Sequence, residues 1–152
     1  MGKQHTSDLK KFLKPFPDDV QDITLWLREF VWDFYPECNE LIYDNYNALA
    51  IGWSLTDKAG DVICSIAVYA NYVNFGFLRG SEISDTDKIL NGSGSLYRKL
   101  SVKTRKDFPK TKIKKMMKEA YLNSLERLNN KPLVLKGATI VKSISKKKRR
   151  PG

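Results

Sequence analysis

Between residues 18 and 35 the apolar side chains Val20, Ile23, Leu27, Phe30, Val31 and Phe34 recur at intervals of three and four, within an arc of about 100° on a helical wheel. This spacing predicts a helix with one buried face. Pro15 and Pro17 block any continuation upstream, Pro17 suits a helix start, and Pro36 ends the helix. Leu25 and Trp32, seven apart, lie off the core arc, placed to meet a partner or to pack under the N-terminal segment. Residues 1–15 are polar and Lys-rich and read as a flexible leader, and residues 37–47 (ECNELIYDNYN) show no clear period and read as a short helical turn and loop. Period-two alternation then takes over. Segments 48–55, 61–70 and 72–78 are rich in β-branched and aromatic residues, with a hairpin turn at 56–60, and predict three consecutive strands. Alternation sets Leu49, Ile51, Trp53 and Leu55 on one face, and likewise Val62, Cys64, Ile66 and Val68. Residues 79–95, punctuated by Gly80, Gly92 and Gly94, read as loop around a turn at 85–90, and 96–104 as a further strand. After Pro109 a second long helix places Ile113, Met116, Met117, Ala120, Ser124 and Leu128 on one face and Lys112, Lys114, Lys115 and Lys118 on the other. Residues 133–144 read as a last strand or extended arm.

The expected fold class is therefore α+β: an antiparallel sheet with one dry face, covered by an N-terminal and a C-terminal helix. Its expected organisation is a leader at 1–15, a domain at 16–130 and an extended basic arm at 131–152. A chain of 152 residues with 41% apolar and 29% charged side chains suits one domain of this kind. No apolar run approaches the roughly 20 residues that span a bilayer, and the N-terminus has no apolar stretch behind its lysines, so a cytoplasmic protein without a membrane partner is expected. Cys38 and Cys64 are too few for a disulfide framework, and with His5 as the one histidine they assemble no Cys/His zinc site.

Charge changes this picture more than composition does. The net charge of +10 hides two halves: residues 1–97 carry 8 basic and 14 acidic side chains, residues 98–152 carry 19 basic and 3 acidic. On the first helix Asp18, Asp22, Glu29 and Asp33 form one acidic stripe, close to opposite the core face. Carboxylates four apart stand about 6 Å apart, so Asp18 with Asp22 and Glu29 with Asp33 can each share a hard cation weakly. The alternative is a solvated face whose first-turn acids simply favour the helix macrodipole. In the second half, Lys112, Lys114, Lys115 and Lys118, together with Lys146, Lys147, Lys148, Arg149 and Arg150, suit docking on nucleic acid or on an acidic protein. Only Phe108 and Tyr121 of the 17 aromatic residues follow residue 97, so a stacking platform interleaved with the charges is not expected. A third constellation, Gly92, Ser93 and Gly94 with Arg79 and Arg98, offers an anion-binding nest or, alternatively, glycines that merely permit a tight turn. No nucleophile and base are paired: His5 lies in the leader, Cys64 alternates with core residues, and the polar segment 43–47 offers hydroxyls and a carboxylate with no defined role. A non-enzymatic protein is expected.

The segments FPDDVQ (16–21), LIYDNYNALAIGW (41–53), ICSIAVYANYVNFGFLRG (63–80) and LNGSGSLYRKL (90–100) resemble the YdhG-like domain family, and IVKSISKKKRRP is similar to the C-terminal extension of one of its branches. The resemblance covers about four fifths of the chain. It implies helices packed on an antiparallel sheet, a YdhG-like or frataxin-like sandwich. Some members are described as frataxin-like carriers that bring iron to iron–sulfur assembly proteins. By that resemblance the acidic stripe of Asp18, Asp22, Glu29 and Asp33 would hold weakly bound iron, with no tightly bound cofactor, in a bacterial protein; a cytoplasmic monomer is expected. Members often carry Lys after the GSG turn, where this chain has Ser95.

Overall fold

A computed structural model describes residues 7–129 and 131–147. In chain order its elements are α1 (Ser7–Leu13), α2 (Asp18–Phe34), β1 (Asn39–Asp44), β2 (Leu49–Ser54), β3 (Val62–Val68), β4 (Val73–Phe77), β5 (Arg98–Val102), α3 (Lys110–Arg127) and β6 (Thr139–Ile144). The α+β class holds. One six-stranded sheet has the order β5-β4-β3-β2-β1-β6, and α2 and α3 both pack against it at β3.

The alternation read from β2 and β3 is realised in their register: Leu49, Ile51 and Trp53 lie opposite Val68, Ile66 and Cys64, and all six are fully buried under the helices. Val62 departs from the expectation. A register shift between Trp53 and Ser54 brings Val62 opposite Ser54 and puts Ile63 into the core in its place. Val62 covers Gly52 on the other face, its methyls 3.0 Å from where a Cβ at Gly52 would stand.

The expected antiparallel sheet is corrected to a mixed one. Strands β1 to β5 pair antiparallel, but β6 joins β1 in parallel, from Glu40 opposite Thr139 to Asp44 opposite Ile144. After α3 the chain passes the end of the sheet where β1 begins, and so enters β6 running the same way as β1. The amide of Asn39 guides this passage: its nitrogen donates to the carbonyls of Thr56 (3.1 Å) and Val134, and its oxygen accepts from the backbone of Lys136 and Ala138, each at 3.3 Å. The buried side chain thereby uses its full hydrogen-bonding capacity. The first part of the expected basic arm is thus a sheet strand.

Two further corrections concern the N-terminal third. Residues 39–44, expected within a turn and loop, form β1; Asn39, Glu40 and Asp44 are buried polar residues, which erases any alternation. Residues 7–13, expected within a flexible leader, form α1, whose Leu9, Phe12 and Leu13 belong to the main core together with Trp32. Trp32 is buried and meets Trp53 edge to face at 6.1 Å, which resolves its off-arc position as packing inside the domain.

The core also holds a dry ion pair. Arg28 of α2 and Glu40 of β1 are 1% and 0% exposed and meet side by side, Nε to Oε2 at 2.5 Å and Nη2 to Oε1 at 2.8 Å. Thr139 of β6 donates its hydroxyl to the same Oε1 at 2.8 Å. Removing one member leaves the other charge desolvated, which costs about 3–5 kcal/mol, whereas replacing both by apolar residues restores much of that loss. Arg28→Met is therefore expected to lower unfolding stability in urea by about 3–5 kcal/mol, and Arg28→Met with Glu40→Leu to recover most of it. A loss below about 1 kcal/mol in the single variant contradicts the burial of this pair.

Candidate anion-docking face

Helix α3 starts at Pro109 with no acidic residue in its first turn, although a helix N-terminus carries partial positive charge and ordinarily attracts carboxylates. Its outer face instead presents Lys110, Lys112, Lys114, Lys115 and Lys118, all exposed, and the preceding loop adds exposed Lys103, Arg105 and Lys106. Among the described residues the one ion pair on this face is Lys112 with Asp87, at 2.8 Å. The Lys112 hydrogen bond, and then its charge, hold the Asp87 carboxyl below the usual carboxylate range. The anchoring side of α3 is apolar: Ile113, Met116, Met117 and Ala120 are buried, as their spacing predicts.

Helix α2 lies alongside and runs the same way, since Trp26, Phe30 and Tyr35 meet successive positions of the loop and α3. Arg105 stands over the Trp26 ring and Lys114 over the Phe30 ring, each 5.9 Å from the centroid. Phe108 inserts edge-on beneath both, at 5.6 Å from Trp26 and 5.1 Å from Phe30, and itself rests on Phe75 of β4. Tyr35 stacks near Tyr121 and donates its hydroxyl to the Met117 carbonyl at 2.5 Å. The fold thus assembles aromatic rings with cations that lie far apart along the chain. Sequence reasoning missed this cluster; the one available signal was that Trp26 and Phe30 are four apart on the side of α2 bordering the core arc.

The acidic stripe is exposed throughout, at Asp18, Asp22, Glu29 and Asp33. It remains a single-helix arrangement, and among the described residues no three His, Cys, Asp or Glu side chains converge where a metal ion could sit. The glycine turn is occupied by its own neighbours. Arg98 donates to the carbonyls of Gly94 and Tyr97, both at 2.7 Å, while Arg79 pairs with Glu82 at 3.1 Å. Gly92 adopts φ +147° and Ser93 and Gly94 are exposed beside it, so the positive-φ requirement falls on Gly92. Gly76 answers to a different demand: the Tyr97 hydroxyl lies 2.5 Å from where its Cβ would be, because the tyrosine crosses the helix-free face of the sheet there. Lys146 and Lys147 are exposed; Lys148, Arg149 and Arg150, like His5, lie outside the described residues. In the polar segment at 43–47, Asp44 and Asn45 are tied to β6 through the Ser145 amide and the Ser143 hydroxyl.

A cleft of about 350 Å³ opens where α2 ends beside α3, walled by Phe34, Pro36, Tyr121 and Leu122, with Glu37 and Lys118 as its charged residues and Cys38 among its lining. Burial, and then the charge of Glu37, push the Cys38 thiol up to about 12. Burial pushes Cys64 up as well. Neither sulfur is prepared as a nucleophile. No family model, no curated protein and no solved structure matches the chain.

With a thiol at about 12, about one part in ten thousand of Cys38 is thiolate at pH 8. Ellman's reagent at pH 8 is expected to find both cysteines inert in the native protein and both reactive in guanidinium. Rapid labelling of the native chain contradicts this placement.

Proposed function

We propose that the protein is a non-enzymatic binding module that docks a polyanion, nucleic acid in the first instance, on the basic face of α3 and the loop before it. The observation that carries this reading is the row of exposed Lys110, Lys112, Lys114, Lys115 and Lys118 at a helix N-terminal half with no acid in its first turn. Several ammonium groups against one positive helix end repel one another, and a string of phosphates relieves that repulsion while releasing condensed counterions. The tail from Lys146 to Arg150 adds charge to the same role. The polyanion reading does not require a cofactor or an oligomer.

A second reading follows from the YdhG-like resemblance: a frataxin-like sandwich in a bacterial cytoplasm that hands iron to iron–sulfur assembly proteins. What favours it is the continuous exposure of Asp18, Asp22, Glu29 and Asp33 along α2. Carboxylate pairs without a third ligand would hold Fe²⁺ loosely and release it readily, as a carrier needs.

The first reading is tested by Lys110→Gln, Lys115→Gln and Lys118→Gln combined. Retention on heparin is expected to fall, and the slope of log affinity for duplex DNA against log salt to become shallower by about 2–3. An unchanged slope overturns α3 as the docking face. Deleting residues 146–152 in a separate variant gives the tail's share. For the second reading, an anaerobic Fe²⁺ titration is expected to shift the NMR signals of Asp22 and Glu29 saturably, with loss of the shift in Asp22→Asn/Glu29→Gln; no saturable shift removes it.

A further inference from the structure

We infer that Trp26 and Phe30, seated on Phe108 and faced by Arg105 and Lys114, form a base-stacking seat that makes this surface prefer single-stranded over duplex nucleic acid; the inference rests on the polyanion reading of α3. Three observations converge on it. The Trp26 and Phe30 rings are half-buried and lie within 21° of parallel, their centroids 6.2 Å apart, so they present one shallow aromatic step to the surface. Phe108 is buried and meets both rings at nearly right angles, and its own support from Phe75 fixes the step against the sheet. The cations that touch the rings are exposed, as are Lys103, Lys106 and Lys110 around them.

Each ingredient answers a need of a single strand. Unpaired bases expose π-faces that stack on fixed aromatic rings or on a guanidinium plane, whatever the base, while the phosphates between them need cations at short range. A duplex hides those faces and offers this surface its phosphates alone. Asp22 and Glu29 occupy neighbouring turns of α2 beside Trp26, at i−4 and i+3, so phosphates are turned away from α2 and toward the loop and α3. The alternative role for Arg105 and Lys114 is to shield two aromatic rings from water, with no ligand involved.

The test uses the full chain with fluorescein-labelled dT15 and a 15-base-pair duplex, followed by anisotropy at moderate salt. Tighter binding of dT15 is expected. Because Trp32 and Trp53 are buried, quenching of tryptophan fluorescence by unlabelled dT15 reports chiefly on Trp26. Trp26→Ala is expected to weaken dT15 binding about 10-fold and the duplex less than twofold, and Trp26→Phe to keep most of the preference. Arg105→Ala, an exposed loop change, serves as the variant that leaves the packing intact and is expected to reduce the dT15 preference as well. Equal affinity for both probes, or equal weakening of both by Trp26→Ala, overturns the seat and leaves docking on α3 standing. Binding of neither probe overturns both.

Discussion

The contact that constrains how α2, β1 and β6 meet is the pair of Arg28 and Glu40, a guanidinium and a carboxylate removed from water. A charge in that position is tolerable only if its partner arrives with correct geometry and the remaining lone pairs are filled. Those conditions link three elements that are distant in the chain. Helix α2 must present Arg28 toward the sheet, β1 must present Glu40 to the same side as Trp53, and β6 must bring Thr139 opposite Glu40. A one-residue slip of β1 would turn Glu40 to the other face and take its carboxylate away from Arg28. The pair therefore acts as a register lock for the three elements at that edge of the sheet. Asn39, next to it, performs the neutral counterpart by holding the segment that leads into β6.

The same contact explains where the chain could be read and where it could not. Local periodicity found α2, the strands β2, β3 and β4, and α3, because their buried positions are apolar and their spacing is a property of the element alone. Strand β1 was invisible to this method. Beside the apolar Leu41 and Ile42 it buries Asn39, Glu40 and Asp44, and Asn39 and Glu40 are acceptable in the interior only because of partners 12 to 99 positions away. Arg28 and Trp32 are buried although both lie off the apolar arc of α2, and α1 hides a three-residue apolar anchor in a lysine-rich segment. Val62 failed for a smaller reason, since one extra residue in β3 reverses the face of what lies beyond it. The cluster at Trp26 is illegible for a different reason: aromatics and cations lie apart along the chain, and parallel packing of α2 on α3 superimposes two stretches that are about 80 residues apart.

This superposition also changes what the net charge means. Averaged over the sequence, +10 describes a moderately basic protein; in the folded chain an acidic row on α2 and a basic row on α3 cover the same face of one sheet. Such rows would be expected to neutralise each other by ion pairing. Among the described residues no ion pair joins Asp18, Asp22 or Glu29 to the α3 lysines; Lys112 meets Asp87 instead, and Glu119 accepts hydrogen bonds from Ser84. The aromatic step of Trp26, Phe30 and Phe108 occupies the seam between the rows and keeps them apart. Both fields therefore reach solvent, and at physiological salt each extends about 8 Å before it is screened. A ligand arriving at the seam experiences a gradient across an apolar strip rather than a uniform attraction. It is the separation of the two charges, not their sum, that gives the surface a direction, and under the polyanion proposal that direction would lay a chain of negative charges lengthwise along α3 with its uncharged parts toward the rings.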